Sequence, residues 1–119
     1  MKKKVVFIAA LICVALLLAA CTPDGGELRE AYKGAGYDFQ PFDISAAHVE
    51  EYELSDYFSA VKGANSDPKT VYVLFFATLG EARRYVEEHS GSGNMPNLSR
   101  SGRLVAFGAA EAVSIAVGS

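Results

Sequence analysis

The chain has 119 residues, with 14 Asp and Glu against 11 Lys and Arg and a net charge of −3. An acidic balance disfavours nucleic acid and anionic headgroups as partners, because both are held mainly by Lys and Arg neutralising phosphates. Two cysteines allow one disulfide at most, so the fold must rest mainly on packing.

The first element is a leader. Lys2, Lys3 and Lys4 precede an apolar run over residues 5–18, which closes on Leu18-Ala19-Ala20-Cys21. The lysines favour the cytoplasmic side while the apolar run inserts. The run is shorter than the ~20 apolar residues of a spanning helix. It is followed by Thr22-Pro23-Asp24-Gly25-Gly26, which holds a helix breaker and no positive charge to stop transfer. In this order the segment resembles the signal peptide and lipobox of bacterial lipoproteins. The resemblance implies that residues 1–20 form a cleaved signal helix and that Cys21 becomes the first mature residue, with a diacylglycerol on its sulfur. Two acyl chains anchor a protein stably where one does so only marginally. The expected location is the cell membrane, facing outside the cytoplasm. Thr22 stands where an aspartate would resemble an inner-membrane retention signal, so an outer-membrane destination stays open in a source with two membranes.

Cleavage would leave 99 of the 119 residues, the size of one domain. Three lysines would leave with the leader, so eight basic residues would face 14 acidic ones, for a charge of about −6. Cys13 would also leave and Cys21 would be consumed, so no thiol would remain for a disulfide, a metal site or a nucleophile. The lipid on Cys21, rather than surface charge, would hold the chain to the membrane.

Residues 21–26 read as a lipidated flexible tether, and residues 27–119 as one small domain. Residues 27–33 carry helix formers with acid early and Lys33 late, favourable to the helix dipole, and Gly34 and Gly36 end them. Residues 37–42 alternate aromatic and polar side chains as an edge strand would. Residues 43–47 read as a turn. Over residues 49–63, Leu54, Tyr57, Phe58 and Val61 fall on a helical stripe. The turn-rich linker after residue 62 equally suits a hairpin, and Tyr57-Phe58 favour the strand.

Residues 70–77 are apolar on both faces and predict a covered central strand. Thr78 and Glu81 form the Thr-x-x-Glu pattern of a capping box opening a helix over residues 79–89. Its apolar stripe is Leu79, Ala82, Tyr85 and Val86, with Arg84 and Glu88 paired on the outer side. Residues 90–102 read as a loop, residues 103–107 as a strand, Gly108 as a turn and residues 109–117 as a closing helix. The whole predicts an α+β domain: a small, mainly antiparallel sheet of 3–4 strands with helices packed on it.

Chemical signals are sparse. His48, Glu50, Glu51 and His89 are the candidate ligand-binding residues, but two lone histidines lack metal-ligand spacing. Glu50, Glu51, Glu53 and Asp56 are acidic without the pattern of a calcium loop. Ser90-Gly91-Ser92-Gly93-Asn94 follows a helix instead of opening one, so it lacks the placement of a phosphate loop. No G-x-S-x-G elbow appears. Tyr32, Tyr37, Phe39, Phe42, Tyr52, Tyr57 and Phe58 crowd the first half of the domain, where they suit a core or, if exposed at an edge, a partner-binding face. The expectation is a non-enzymatic binding module for a protein or envelope component, with a small-molecule or metal-binding accessory lipoprotein as the alternative. No cofactor and no nucleic acid partner are implied.

Overall fold

A computed structural model of the chain describes residues 22–42, 47, 49–63 and 69–118. The leader, Cys21, residues 43–46 of the turn expected at 43–47 and residues 64–68 of the turn-rich linker expected at 63–69 lie outside the described residues. In chain order the elements are α1 (Gly25–Gly34), β1 (Asp38–Gln40), β2 (Leu54–Lys62), β3 (Lys69–Phe76), α2 (Leu79–His89), β4 (Ser99–Ser101), β5 (Leu104–Gly108) and α3 (Ala110–Val117). The fold is α+β. One antiparallel sheet runs β1-β2-β3-β5-β4, so β3 lies at its centre between β2 and β5.

The local chemistry explains most boundaries. Asp24 caps α1, its carboxylate accepting from the Glu27 N–H at 3.3 Å. The helix therefore starts two residues earlier than expected, and residues 24–26 belong to the folded domain instead of a flexible tether. Thr78 caps α2 by accepting from the Glu81 N–H at 3.2 Å. The expected reciprocal bond is not made, because the Glu81 carboxylate accepts from the Glu53 N–H at 3.1 Å and so ties α2 to the start of β2.

Residues 54–62 form a strand. A register shift between Leu54 and Asp56 lets Leu54 share a face with Tyr57, while Phe58 packs on the opposite one. The sheet has five strands instead of 3–4, because β4 lies within the segment expected to be a loop and pairs with β5 through Ser99, Arg100 and Ser101. Gly108 ends β5 instead of forming a turn. Its φ of 136° and the nearby Thr70 carbonyl leave no room for a Cβ.

Two cores result. On the first face, Phe58, Ala60, Val71, Val73, Phe75, Leu104 and Ala106 pack under α1 and α3. Tyr32 of α1 is fully buried and donates its hydroxyl to the Ala112 carbonyl of α3 at 2.6 Å, locking the helices together. On the second face, Leu74, Phe76 and Val105 pack under Ala82 and Tyr85 of α2, with Ala47, Val49 and Met95 closing the sides. The Tyr85 hydroxyl donates to the Ala47 carbonyl at 2.6 Å. Among the described residues, only one helix lies on this face.

Candidate functional site

The helix-free part of the second face opens as a groove of about 500 Å³. Its floor comes from adjacent strands. Tyr72 of β3 sits opposite Phe107 of β5, with ring centroids 5.1 Å apart and planes at 22°. Phe42 stands edge-on to Tyr72 at 5.4 Å and continues the aromatic row to Tyr57 at 5.2 Å. Gln40 and Thr70 line one side of the groove, and Asn94, Pro96 and Asn97 line the other, with Gly108 and Ala109 at the end.

The wall over residues 94–97 is built in place. Met95 is buried, with its Sδ in contact with the Tyr85 hydroxyl at 3.5 Å. The Gly108 N–H donates to the Pro96 carbonyl at 2.8 Å, and the Asn97 side-chain amide donates to the Gly108 carbonyl at 2.8 Å. Asn97 has a φ of 59°, a left-handed conformation that asparagine tolerates well. On the opposite side the Gln40 amide donates to the buried Ser59 hydroxyl at 3.0 Å, and Ser59 in turn donates to the Val71 carbonyl. These bonds leave the Gln40 and Asn97 side-chain carbonyls as acceptors. Among the described residues, the Tyr72 and Thr70 hydroxyls and the Asn94 side-chain amide make no hydrogen bond. Among the described residues, the groove lining carries no carboxylate, imidazole, thiol or amine. Donors and acceptors without charge beside aromatic carbon suit a neutral, hydroxyl-bearing ligand.

The candidate residues read from the sequence lie elsewhere. Glu50 and Glu51 are exposed ahead of β2, and His48 and Cys21 are outside the described residues. His89 ends α2 half-buried, its ring 4.3 Å from that of Tyr85 and its Nδ1 2.9 Å from the Tyr85 carbonyl. Among the described residues, no group of three or more His, Cys, Asp or Glu is placed to hold a metal ion.

Beside His89 lies a polar aromatic cluster. Tyr52 donates to Glu88 at 2.6 Å, Arg84 lies 4.3 Å over the Tyr52 ring, and Arg84 pairs with Glu88 at 3.2 Å. Burial and the Glu88 hydrogen bond push the Tyr52 hydroxyl up to about 12, while the same bond holds Glu88 below its ordinary value. The cluster is closed on itself and braces α2 against the start of β2.

The groove residues Gln40, Thr70, Tyr72, Asn94, Asn97 and Phe107 gave no motif, since they come from three strands and a loop. The one available signal was Tyr72, a polar-tipped ring in the middle of an otherwise apolar strand. No protein-family model, no curated protein and no solved structure matches this chain.

Proposed function

We propose that this protein is a lipid-anchored extracytoplasmic binding module and that its groove takes a neutral, hydroxyl-rich envelope component such as a glycan. The anchor reading rests on the basic start, the apolar run and Leu18-Ala19-Ala20-Cys21. The binding reading is carried by one observation: among the described residues, the Thr70 and Tyr72 hydroxyls, the Asn94 amide and the Gln40 and Asn97 side-chain carbonyls flank the Tyr72 and Phe107 rings of the groove. The C–H faces of a sugar ring are drawn to the negative face of an aromatic ring, and sugar hydroxyls pair with side-chain amides that both donate and accept. The described lining groups are amides, hydroxyls and rings, whose chemistry suits holding a ligand.

Two measurements test the reading. The purified full-length product should carry a diacylglycerol mass on Cys21, and Cys21→Ser should release the chain from membranes. Neutral cell-wall oligosaccharides should raise the melting temperature in a saturable way, because binding to the folded state stabilises it by mass action. An unmodified Cys21 removes the anchor, and a flat melting temperature across the oligosaccharides removes the ligand.

A second reading has its own observation. Phe39 is 45 % exposed on the short edge strand β1, which has an unpaired side. A protein strand added there would bury that ring and continue the sheet.

A further inference from the structure

The described chain is folded from its first residue. The Arg103 N–H in the β4–β5 turn donates to the Thr22 hydroxyl at 2.6 Å, Thr22 and Pro23 are half-buried, and Asp24 is already the α1 cap. The Leu28 N–H donates to the Asp24 carbonyl at 2.9 Å. A flexible tether over residues 21–26 would let the domain wander through about 20 Å. Here a single peptide link, about 3.8 Å between Cα atoms, separates Cys21 from a docked residue.

The docked residue marks one pole of the domain. Beside it lie the β4–β5 turn and the end of β3, where the Phe76 N–H donates to the Arg103 carbonyl at 2.9 Å. A Cβ on Gly25 would touch Asp56 and Phe75, which puts the start of α1 at this same pole, and α2 begins there just after β3. From this pole α1 runs to Gly34, and Gly36 just beyond it lies beside Lys62 at the other end of the sheet. The groove belongs to that far end. Thr70 is six residues before Phe76 along β3, which at ~3.3 Å per residue is about 20 Å.

We infer that the lipid holds the domain upright on the bilayer, with the Thr22–Arg103 pole against the headgroups and the groove about 20 Å above them, open to the surroundings. The inference rests on the lipid reading of Cys21 and adds to it a fixed orientation. The partner of the lower pole is the bilayer itself, reached through the covalent anchor. Attraction between surface charges contributes little, because Arg103 is offset by Asp24 and Glu27 on the same end. The groove is thereby directed toward material beyond the membrane and away from lipid.

The test uses full-length chain processed in cells and reconstituted in phosphatidylethanolamine–phosphatidylglycerol vesicles with a nitroxide quencher on some headgroups. Single cysteines are introduced for a fluorophore at either pole, as Arg103→Cys or Asp38→Cys. Both side chains are exposed, and the Thr22 bond uses the backbone of residue 103. Once lipidated and cleaved, the chain holds no other free thiol.

The label at position 103 should be quenched several-fold more than the label at position 38. A Gly-Ser linker inserted after Cys21 should erase that contrast. Equal quenching in a chain that floats with vesicles and carries the lipid mass overturns the orientation and leaves the anchor standing. A chain without lipid mass that fails to float overturns both.

Discussion

The two faces of the sheet use the same strands and end differently. On the first face two helices cover the strand residues, and Val71, Val73, Leu104 and Ala106 are fully buried. On the second, α2 has 11 residues and is about 16 Å long, against a central strand of eight residues and about 26 Å. One helix of that length cannot shield the strand from end to end. The loop over residues 90–98 covers part of the remainder, and what is left is the groove. Val71, Val73, Leu104 and Ala106 fill the covered face together with the Phe58 and Phe75 rings, while the short-covered face ends in the polar-tipped Tyr72 ring and neighbouring amides. Such side chains tolerate partial exposure, because one end is apolar and the other can be wet.

The largest effect should come from emptying the covered face. Leu104→Ala leaves a cavity under α1 and α3 and should cost about 2–5 kcal/mol in denaturant unfolding. A loss under about 1 kcal/mol would mean that this core collapses easily, and the contrast between the faces would be gone.

Next in size is the seam between β5 and α3. Gly108→Ala forces a Cβ toward the Thr70 carbonyl, which already accepts the Ala109 N–H at 2.9 Å, and at a φ that disfavours side chains. The expected cost is about 1–3 kcal/mol. The groove end should distort with it, so oligosaccharide binding should weaken in the same variant.

A pair of identical changes sharpens the comparison further. Tyr32→Phe removes a buried hydroxyl that holds α1 to α3 and should cost about 1 kcal/mol. Tyr72→Phe removes a half-exposed hydroxyl without a protein partner and should stay within about 0.5 kcal/mol. Its effect should appear in binding instead, as a weaker shift of melting temperature by neutral oligosaccharides. Equal stability losses in the two variants would sink the assignment of Tyr72 to a ligand site.

The smallest effect concerns pH. Arg29 holds Asp56 through two hydrogen bonds of 2.7 and 2.9 Å, with its guanidinium 4.6 Å over the Phe58 ring. The Arg29 hydrogen bond keeps the Asp56 carboxyl below its ordinary value against the opposing cost of burial. A depressed folded value adds stability above the ordinary carboxylate value of about 4, and that stability is lost as pH falls through the folded value. Both side chains are more than a third exposed, at 35 % and 41 %, so solvent screening keeps the contribution below about 1 kcal/mol. Asp56→Asn should flatten the acid limb of a stability–pH curve, and an unchanged limb would show that the pair is not coupled to folding.

Elements with a local signal were legible in the sequence. The β3 run, the Thr78 cap of α2 and the acid-to-base gradient of α1 each reside in contiguous residues, and each element formed where its chemistry pointed. The strand at residues 54–62 was ambiguous because its bulge breaks strict alternation and leaves a pattern that also fits a helix. β4 was illegible, since Ser99-Arg100-Ser101 has no apolar periodicity and becomes a strand only by pairing with β5. The same holds for the tether. Pro and two glycines suggested flexibility, whereas Asp24, Thr22 and the distant Arg103 N–H order that end of the chain.

The amino-acid order alone specifies an α+β domain, its helices and its central strand, because helix caps and unbroken apolar runs act over a few residues. It also carries the leader motif on which the anchor reading depends. That five strands align in the order β1-β2-β3-β5-β4, that Thr22 docks beside Arg103 and that Gln40, Tyr72, Asn97 and Phe107 share one groove emerges only in the folded chain. Those arrangements depend on contacts between residues far apart in the chain, and they follow from sheet register and from the short reach of a single helix over one face.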